Sequence, residues 1–270
     1  MPSLQRRRLL ALLSGAGLAG AGLLGLPRPA AAEGGRPLVA AASDLQFVLP
    51  ELAAAFEAET GAAVELTFGS SGNIARQIRQ GAPYQLYLSA DEDYVLGLAR
   101  DGFTRGEGRL YALGRLALLV PAGSPLEADG SLADLAAALR DGRVTRFAIA
   151  NPEHAPYGRR AEEALRHAGL WQAIRPRLVL GENVAQAAQF AVSGNAQGGL
   201  VAHSLALAPR IAARGESALV PAEWHSPLRQ RMVLLKEAGA VAGRFHDYLS
   251  TPAAQATLGR NGFVLPEGTR

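Results

Sequence analysis

Short apolar runs alternate with segments of helical periodicity from residue 38 to residue 258. Each apolar run ends in turn residues, which is typical of a buried strand. The segments between the runs place apolar side chains three and four positions apart, which predicts amphipathic helices. The predicted strands are 38–42, 63–68, 86–88, 110–120, 146–150, 178–180, 198–202 and 230–235, and the last two predicted helices are 240–249 and 252–258. Strands that alternate with helices favour an α/β fold built on parallel sheets.

Four of the predicted strands end in loops that are rich in Ser, Gly, Asn and Tyr, and each loop opens a helix. These loops contain residues 43–44, 70–73, 155–158 and 182–184. Parallel sheets bind ligands at the carboxyl ends of their strands, and a helix N-terminus offers free N–H groups and the positive end of its dipole. The loops therefore predict an anion site made of neutral donors. The alternative is that their Ser and Asn residues only cap helices, and residues 43–46 do fit a capping box.

The first 32 residues have the pattern of an export signal. Three arginines at 6–8 precede an apolar run rich in Leu, Ala and Gly, and alanines occupy 30–32. Paired arginines favour the twin-arginine route, although the Sec route fits as well. A transmembrane anchor is disfavoured because the run is rich in Gly and is broken by Pro27. We expect a soluble periplasmic protein, since no second apolar run of membrane-spanning length follows.

Charge and cysteine content exclude several functions. The chain has 27 basic and 24 acidic residues, and the four arginines of segment 1–32 account for the excess, which leaves 23 basic residues in the rest. A chain without excess positive charge is not expected to bind nucleic acid. The absence of cysteine excludes thiolate catalysis, cysteine-ligated metals and a lipid-modified N-terminal cysteine.

One sequence motif suggests an enzyme. Residues 69–72, Gly-Ser-Ser-Gly, resemble a nucleophile elbow, which makes a serine hydrolase using Ser70 or Ser71 a remote alternative. The next residue is Asn73 rather than Gly, and the sequence identifies neither a base nor an orienting acid. The five histidines lack metal-ligand spacing, and there is no P-loop or dinucleotide fingerprint. We expect neither an enzyme nor a bound cofactor.

Seven segments match, in the same order, the pattern of one family of transport proteins. They are AAASD (40–44), FGSSGNIARQI (68–78), GAPYQLYLSAD (81–91), NPEHAPYG (151–158), GENVAQAAQF (181–190), SGNAQGGLVAHS (193–204) and NGFVLP (261–266). Together they resemble the molybdate-binding proteins of ABC transporters, which have the type II periplasmic binding protein fold. The resemblance covers nearly all of the chain beyond the export signal.

The resemblance implies a two-lobed α/β fold. Each lobe is expected to be a mainly parallel sheet flanked by helices, with the ligand in the cleft between the lobes. The implied crossover strands lie at about 114–121 and 228–235. Lobe one would then comprise 37–116 plus 233–270, and lobe two 117–232.

The resemblance also implies a function. A monomer would capture molybdate or tungstate in the periplasm and deliver it to the membrane permease of an ABC transporter. The sequence does not rank these two ions, because they are nearly equal in size and charge. Another tetrahedral oxyanion, such as sulfate or phosphate, is the alternative ligand.

Four residues are implied as oxyanion contacts. Ser43 would contribute its hydroxyl and N–H, Ser71 its hydroxyl, and Val184 its backbone N–H. Tyr157 would contribute its backbone N–H, and its hydroxyl is a further candidate.

Two positions depart from the family pattern. Asp44 stands where some relatives have a donor such as Asn, and a carboxylate beside a dianion is unfavourable. We expect its side chain to turn toward its helix end, so that only its N–H faces the anion. Ala202 stands where some members have a tyrosine. The hydroxyl of Tyr157 is the expected replacement donor, and His203 is the alternative.

Overall fold

The computed structural model describes residues 35–266, which form ten strands, eleven α-helices and three short 3-10 turns. The predicted export signal, residues 1–32, lies outside the described residues. The strands are β1 (Leu38–Ala42), β2 (Glu65–Gly69), β3 (Leu86–Ser89), β4 (Arg109–Gly114), β5 (Leu116–Pro121), β6 (Phe147–Ala150), β7 (Leu178–Gly181), β8 (Gly199–Ala202), β9 (Gly215–Leu219) and β10 (Leu228–Leu234). The helices are α1 (Val48–Thr60), α2 (Ser71–Arg79), α3 (Glu92–Arg100), α4 (Ala133–Asp141), α5 (Pro156–His167), α6 (Trp171–Ile174), α7 (Val184–Val192), α8 (His203–Ala206), α9 (Pro209–Ala212), α10 (Ala240–Tyr248) and α11 (Pro252–Arg260). The 3-10 turns are Ser43–Leu45, Arg175–Arg177 and Ala222–Trp224.

The strands form two five-stranded sheets. The first has the order β2-β1-β3-β10-β4 and the second the order β7-β6-β8-β5-β9. We call the first sheet with its helices the first lobe, and the second sheet with its helices the second lobe. The predicted two-lobed α/β fold is confirmed.

Both sheets are mixed, whereas the sequence had predicted mainly parallel sheets. In the first sheet β1 pairs in parallel with β2 and β3, whereas β10 is antiparallel to β3 and β4. In the second sheet β6 is parallel to β7 and β8, whereas β5 is antiparallel to β8 and β9. The antiparallel strands β5 and β10 are the ones that the chain reaches directly from the other lobe.

The chain passes between the sheets twice. The predicted strand 110–120 is two strands, since β4 ends in the first sheet at Gly114 and β5 starts in the second at Leu116. The chain returns between β9 and β10. All of β10 lies in the first sheet, including residues that the predicted lobe boundary assigned to the second lobe. The exact lobe boundaries stay a prediction.

Side chains of the first sheet alternate between two apolar clusters. Val39 and Ala41 of β1 belong to the cluster that includes α1, α10 and α11, whereas Ala40 faces the cluster that includes α2 and α3. On the first side, the rings of Phe56 and Phe245 lie 5.1 Å apart. Because helices cover both faces, the strand is apolar at every position, as in buried parallel strands. Among residues 35–266, no helix is long and apolar enough to cross a membrane.

Candidate functional site

A small cavity lies where loops of the first lobe meet loops of the second. It encloses no more than about 180 Å³, whereas pockets for organic ligands typically measure about 300–1,000 Å³. Its lining consists of Ala42, Ser43, Asp44, Gly69, Ser70, Ser71, Ala90, Ala155, Pro156, Tyr157 and Val184. The four contact residues expected from the sequence are all in this lining, and no lysine, arginine or histidine is. The cavity therefore suits a small ligand that binds to neutral donors.

Two serine hydroxyls reach the cavity from the first lobe. Ser43 follows β1 and Ser71 opens α2, and both are buried. The Ser71 Oγ accepts the N–H of Ala90 at 3.0 Å, and the Ser43 Oγ accepts the N–H of Ala185, in the second lobe, at 3.3 Å. Since each oxygen is an acceptor in these bonds, each hydroxyl proton remains available for donation.

Ser43 is not the helix cap that the sequence predicts. It is the first residue of a three-residue 3-10 turn, and Ala42, which precedes that turn, makes no side-chain cap. The predicted partner, Gln46, bonds through its backbone N–H to the Ser43 carbonyl. The Ser43 side chain is therefore free for the contact with the second lobe.

Two helix starts reach the cavity from the second lobe. The first N–H groups of a helix have no acceptor within the helix and lie at the positive end of its dipole. In α7, the N–H of Ala185 bonds to Ser43, and that of Gln186 bonds to Asn183 Oδ1 at 3.0 Å, which leaves the N–H of Val184 for the cavity. In α5, Pro156 has no N–H, so Tyr157 is the first donor of that helix.

Asp44 lines the cavity and belongs to a buried hydrogen-bond network. Its Oδ2 accepts the Tyr157 hydroxyl at 3.1 Å and the Gln230 amide at 2.5 Å. The Oε1 of Gln230 in turn accepts the hydroxyl of Tyr111 at 2.6 Å. Burial raises the pKa of Asp44 to about 6, although the two hydrogen bonds oppose that shift. Its side-chain partners lie on α5 and β10, and the backbone N–H groups of Asp44 and Leu45, in its own 3-10 turn, also lower its pKa, as expected for a carboxylate that turns toward its helix end.

The hydroxyl of Tyr157 donates its proton to another residue of the protein and not to the cavity. That hydroxyl donates to Asp44 and lies 3.3 Å from the donating amide of Gln230. Gly114 makes room for this group, because a Cβ at that position would lie against the Tyr157 hydroxyl and 2.7 Å from the Gln230 Nε2. A hydroxyl has a single proton, so in this structure Tyr157 offers the cavity its backbone N–H rather than its hydroxyl.

The alternative donor from the sequence, His203, is not in the cavity lining. Its ring packs at Gly262, where an added Cβ would lie 2.9 Å from the His203 Cδ2. Burial lowers the pKa of this histidine. Ala202 is likewise absent from the cavity lining.

Comparison with known proteins identifies the family. The family model of bacterial extracellular solute-binding proteins matches residues 37–264. The chain belongs to this family. The molybdate-binding protein ModA of Rhodobacter capsulatus is 35% identical over 245 residues, which cover 90% of this chain and 92% of that protein. The ModA of Escherichia coli K12 is 31% identical over 265 residues, covering 96% of this chain and 99% of that protein.

A solved structure supports the same relationship. The periplasmic molybdate-binding protein of Azotobacter vinelandii is 32% identical, with a TM-score of 0.78 over 86% of this chain and 100% of that one. The resemblance drawn from the seven sequence segments is thus confirmed. These relatives are named as binding proteins rather than as enzymes.

Sequence reasoning missed three polar residues of this solute-binding protein. Gln230 of β10 donates to Asp44 and accepts from Tyr111 of β4, and His154 lies across the cleft from Ser70. The His154 Nδ1 is 2.9 Å from the Ser70 Oγ, and its Nε2 is 3.6 Å from a carboxylate oxygen of Glu182. The only sequence signal was that His154 belongs to one of the matching segments. Within residues 35–266, no cluster of His, Asp and Glu could hold a metal cation.

Proposed function

We propose that this solute-binding protein captures molybdate or tungstate in the periplasm and delivers it to the permease of an ABC transporter. The observation that carries the proposal is a small cavity between two lobes whose lining offers neutral donors and has no basic side chain. The donors that we propose are the hydroxyls of Ser43 and Ser71 from the first lobe and the N–H groups of Tyr157 and Val184 from the second, since all four residues line the cavity. Hydrogen bonds of this kind are strong when the acceptor is charged and water is excluded. The names of the relatives favour molybdate.

The protonation state of the anion bears on the choice among oxyanions. Phosphate keeps a proton near neutral pH and needs an acceptor for it, whereas molybdate, tungstate and sulfate are then pure acceptors. The Oδ2 of Asp44, a residue of the lining, accepts from Tyr157 and Gln230, whereas its Oδ1 has no hydrogen-bond partner among the described residues. The lining by itself therefore does not exclude phosphate, and the titration below compares phosphate with the other three anions.

Ligand capture fits this cavity better than hydrolysis does. The structure places His154 beside Ser70, which supplies a base that the sequence did not identify. A serine hydrolase, however, also needs space for its substrate at Ser70, and the cavity is far smaller than usual ligand pockets. We therefore propose a monomeric carrier without catalytic activity, cofactor or nucleic-acid partner, exported by the signal at 1–32.

Calorimetric titration of the exported chain with molybdate, tungstate, sulfate and phosphate tests this function. Molybdate and tungstate are expected to bind most tightly, at one site. Ser71→Ala should weaken the binding of molybdate by about 1–3 kcal/mol, the range for a hydrogen bond to a charged partner. The control Ser217→Ala, in exposed β9, should leave binding unchanged. Tighter binding of sulfate or phosphate would overturn the ligand assignment, and no binding of any of the four would overturn the proposal.

A further inference from the structure

A second set of contacts joins the lobes beside the cavity, around His154. The carbonyl of His154, in the second lobe, accepts the N–H of Gly72, in the first lobe, at 2.9 Å. The ring of His154 contacts the hydroxyl of Ser70 at 2.9 Å, and the hydroxyl of Tyr94 lies 3.5 Å from the same carbonyl. These bonds connect the lobes directly, without any ligand between them.

The start of helix α2 is completed by the opposite lobe. Ser70 occupies the N-cap position, where a serine hydroxyl ordinarily accepts an N–H of the first turn. Here its side chain makes no such bond and contacts His154 instead. The N–H of Gly72, at the second helical position, donates to the carbonyl of His154. The helix that presents Ser71 to the cavity thus gains an acceptor only when the lobes are together.

Gly72 is the residue that permits this approach. A Cβ at Gly72 would lie 2.6 Å from the carbonyl oxygen of His154 and 2.9 Å from the hydroxyl of Tyr94. The backbone of Gly72 is helical and does not have the positive φ that requires glycine. Glycine lowers helix propensity, so its presence in the first turn of α2 is explained by the neighbouring lobe and not by the helix.

Further polar contacts extend this interface. Arg159 of α5 donates to the hydroxyl of Tyr94 at 2.6 Å and lies over its ring, 5.3 Å from the centroid. Arg160 forms an ion pair with Asp91 at 3.0 Å, and both side chains are largely buried. Two successive arginines of the second lobe therefore contact the first lobe around α3.

We propose that His154 is a positioning residue of the oxyanion site. Its contacts with Gly72 and Ser70 complete the start of α2 and hold the lobes together in the closed form, and we call these contacts the latch. Gly72 permits the latch to form because it has no side chain. This inference rests on the proposed function. A latch that forms only in the closed form shifts the population toward the state that binds the anion. It should therefore tighten binding without touching the ligand.

Gly72→Ala tests the latch. The added methyl group clashes with His154 only when the lobes are closed, so the Kd for molybdate should rise about tenfold or more, mainly through faster release. The melting temperature of the unliganded protein should stay equal or rise, because alanine favours the helix. The control is Gly243→Ala in α10, where an added Cβ meets nothing within 4 Å. It should raise the melting temperature and leave the Kd unchanged.

A second variant covers the case in which Gly72→Ala does not fold. His154→Ala keeps the carbonyl and removes the ring contact to Ser70, and it should raise the Kd for molybdate about two- to tenfold. An unchanged Kd would overturn the role of His154. If the parent binds molybdate and Gly72→Ala binds it equally well, the latch is wrong while the proposed function stands. If the parent binds none of the four oxyanions, the proposed function fails and the latch falls with it.

Discussion

At the scale of single residues, the unusual feature is a carboxylate in the lining of a proposed anion site. Asp44 is fully buried, and its charge would repel a dianion. The structure directs the carboxylate to Tyr157 and Gln230, which donate to it from the second lobe and from β10. One acidic side chain is thus bonded to both lobes, and its protonation and its partners can be tested separately.

The burial of Asp44 predicts a pH dependence of stability. Its pKa is about 6 in the folded protein against an ordinary value of 3.8, so folding favours the neutral form. The resulting stabilisation is complete below about pH 4 and is lost as the pH rises through 6, by roughly 3 kcal/mol in total. Asp44→Asn should remove this component. Urea unfolding of both unliganded proteins between about pH 4 and pH 8 measures it, and parallel pH profiles would contradict the prediction.

Tyr157→Phe separates the two possible roles of the hydroxyl. If the hydroxyl serves Asp44, its removal should lower the free energy of unfolding of the unliganded protein by about 1–3 kcal/mol at neutral pH. The increase in melting temperature caused by molybdate should then stay close to that of the parent. Tyr84→Phe, whose hydroxyl donates to Gln77 at an exposed site, is the control and should change neither quantity appreciably. A variant with normal unliganded stability but a smaller ligand-induced increase would instead assign the hydroxyl to the anion.

At the scale of elements, the site is assembled from the starts of α2, α5 and α7 and from the turn after β1. Their side chains do not all serve their own helices. Ser70 occupies a cap position without capping, whereas Asn183 does cap α7 through its contact with Gln186. The difference follows from what lies opposite, because His154 provides a partner for Ser70.

Asn183→Ala tests whether binding depends on a well-ordered start of α7. The loss of this cap should destabilise the protein by about 1 kcal/mol and loosen the N–H of Val184 at the cavity. Thr251→Ala is the matched control, since Thr251 caps α11 by accepting the N–H of Ala254 at 3.3 Å and lies outside the cavity lining. Both variants should melt at a lower temperature, and only Asn183→Ala should raise the Kd for molybdate. Equal Kd values in the two variants and the parent would show that the cap does not affect the site.

At the scale of the whole molecule, binding should depend weakly on ionic strength. No basic side chain lines the cavity, and the nearby arginines have partners of their own, Asn73 for Arg76 and Tyr94 for Arg159. Buried dipoles are screened by salt much less than exposed charges are. The Kd for molybdate should therefore change by less than about threefold between about 50 mM and 500 mM sodium chloride. A steep loss of affinity, measured by calorimetry, would instead place an arginine in contact with the anion.

The order of strands and helices could be predicted from the sequence alone, because secondary structure imposes a local period on apolar residues. The segments that escaped prediction are short, such as β9, α6, α8 and α9, and have too few positions to establish a period. The run 110–120 looked like one strand because both of its halves are buried. Only the arrangement of the two sheets divides it at Arg115.

The residues of the site also fall into two groups, those that the sequence predicts and those that it does not. The serines and helix starts could be predicted because strand-end loops carry a local signature and the resemblance placed them together. The residues Tyr111, Gln230 and His154 could not, since each meets its partner across a long stretch of chain: Gln230 lies 186 positions from Asp44, and His154 84 positions from Ser70. The direction of the Tyr157 hydroxyl depends on the space above Gly114. Sequence determines which groups can donate, whereas the packing of one lobe on the other determines which acceptor each donor meets.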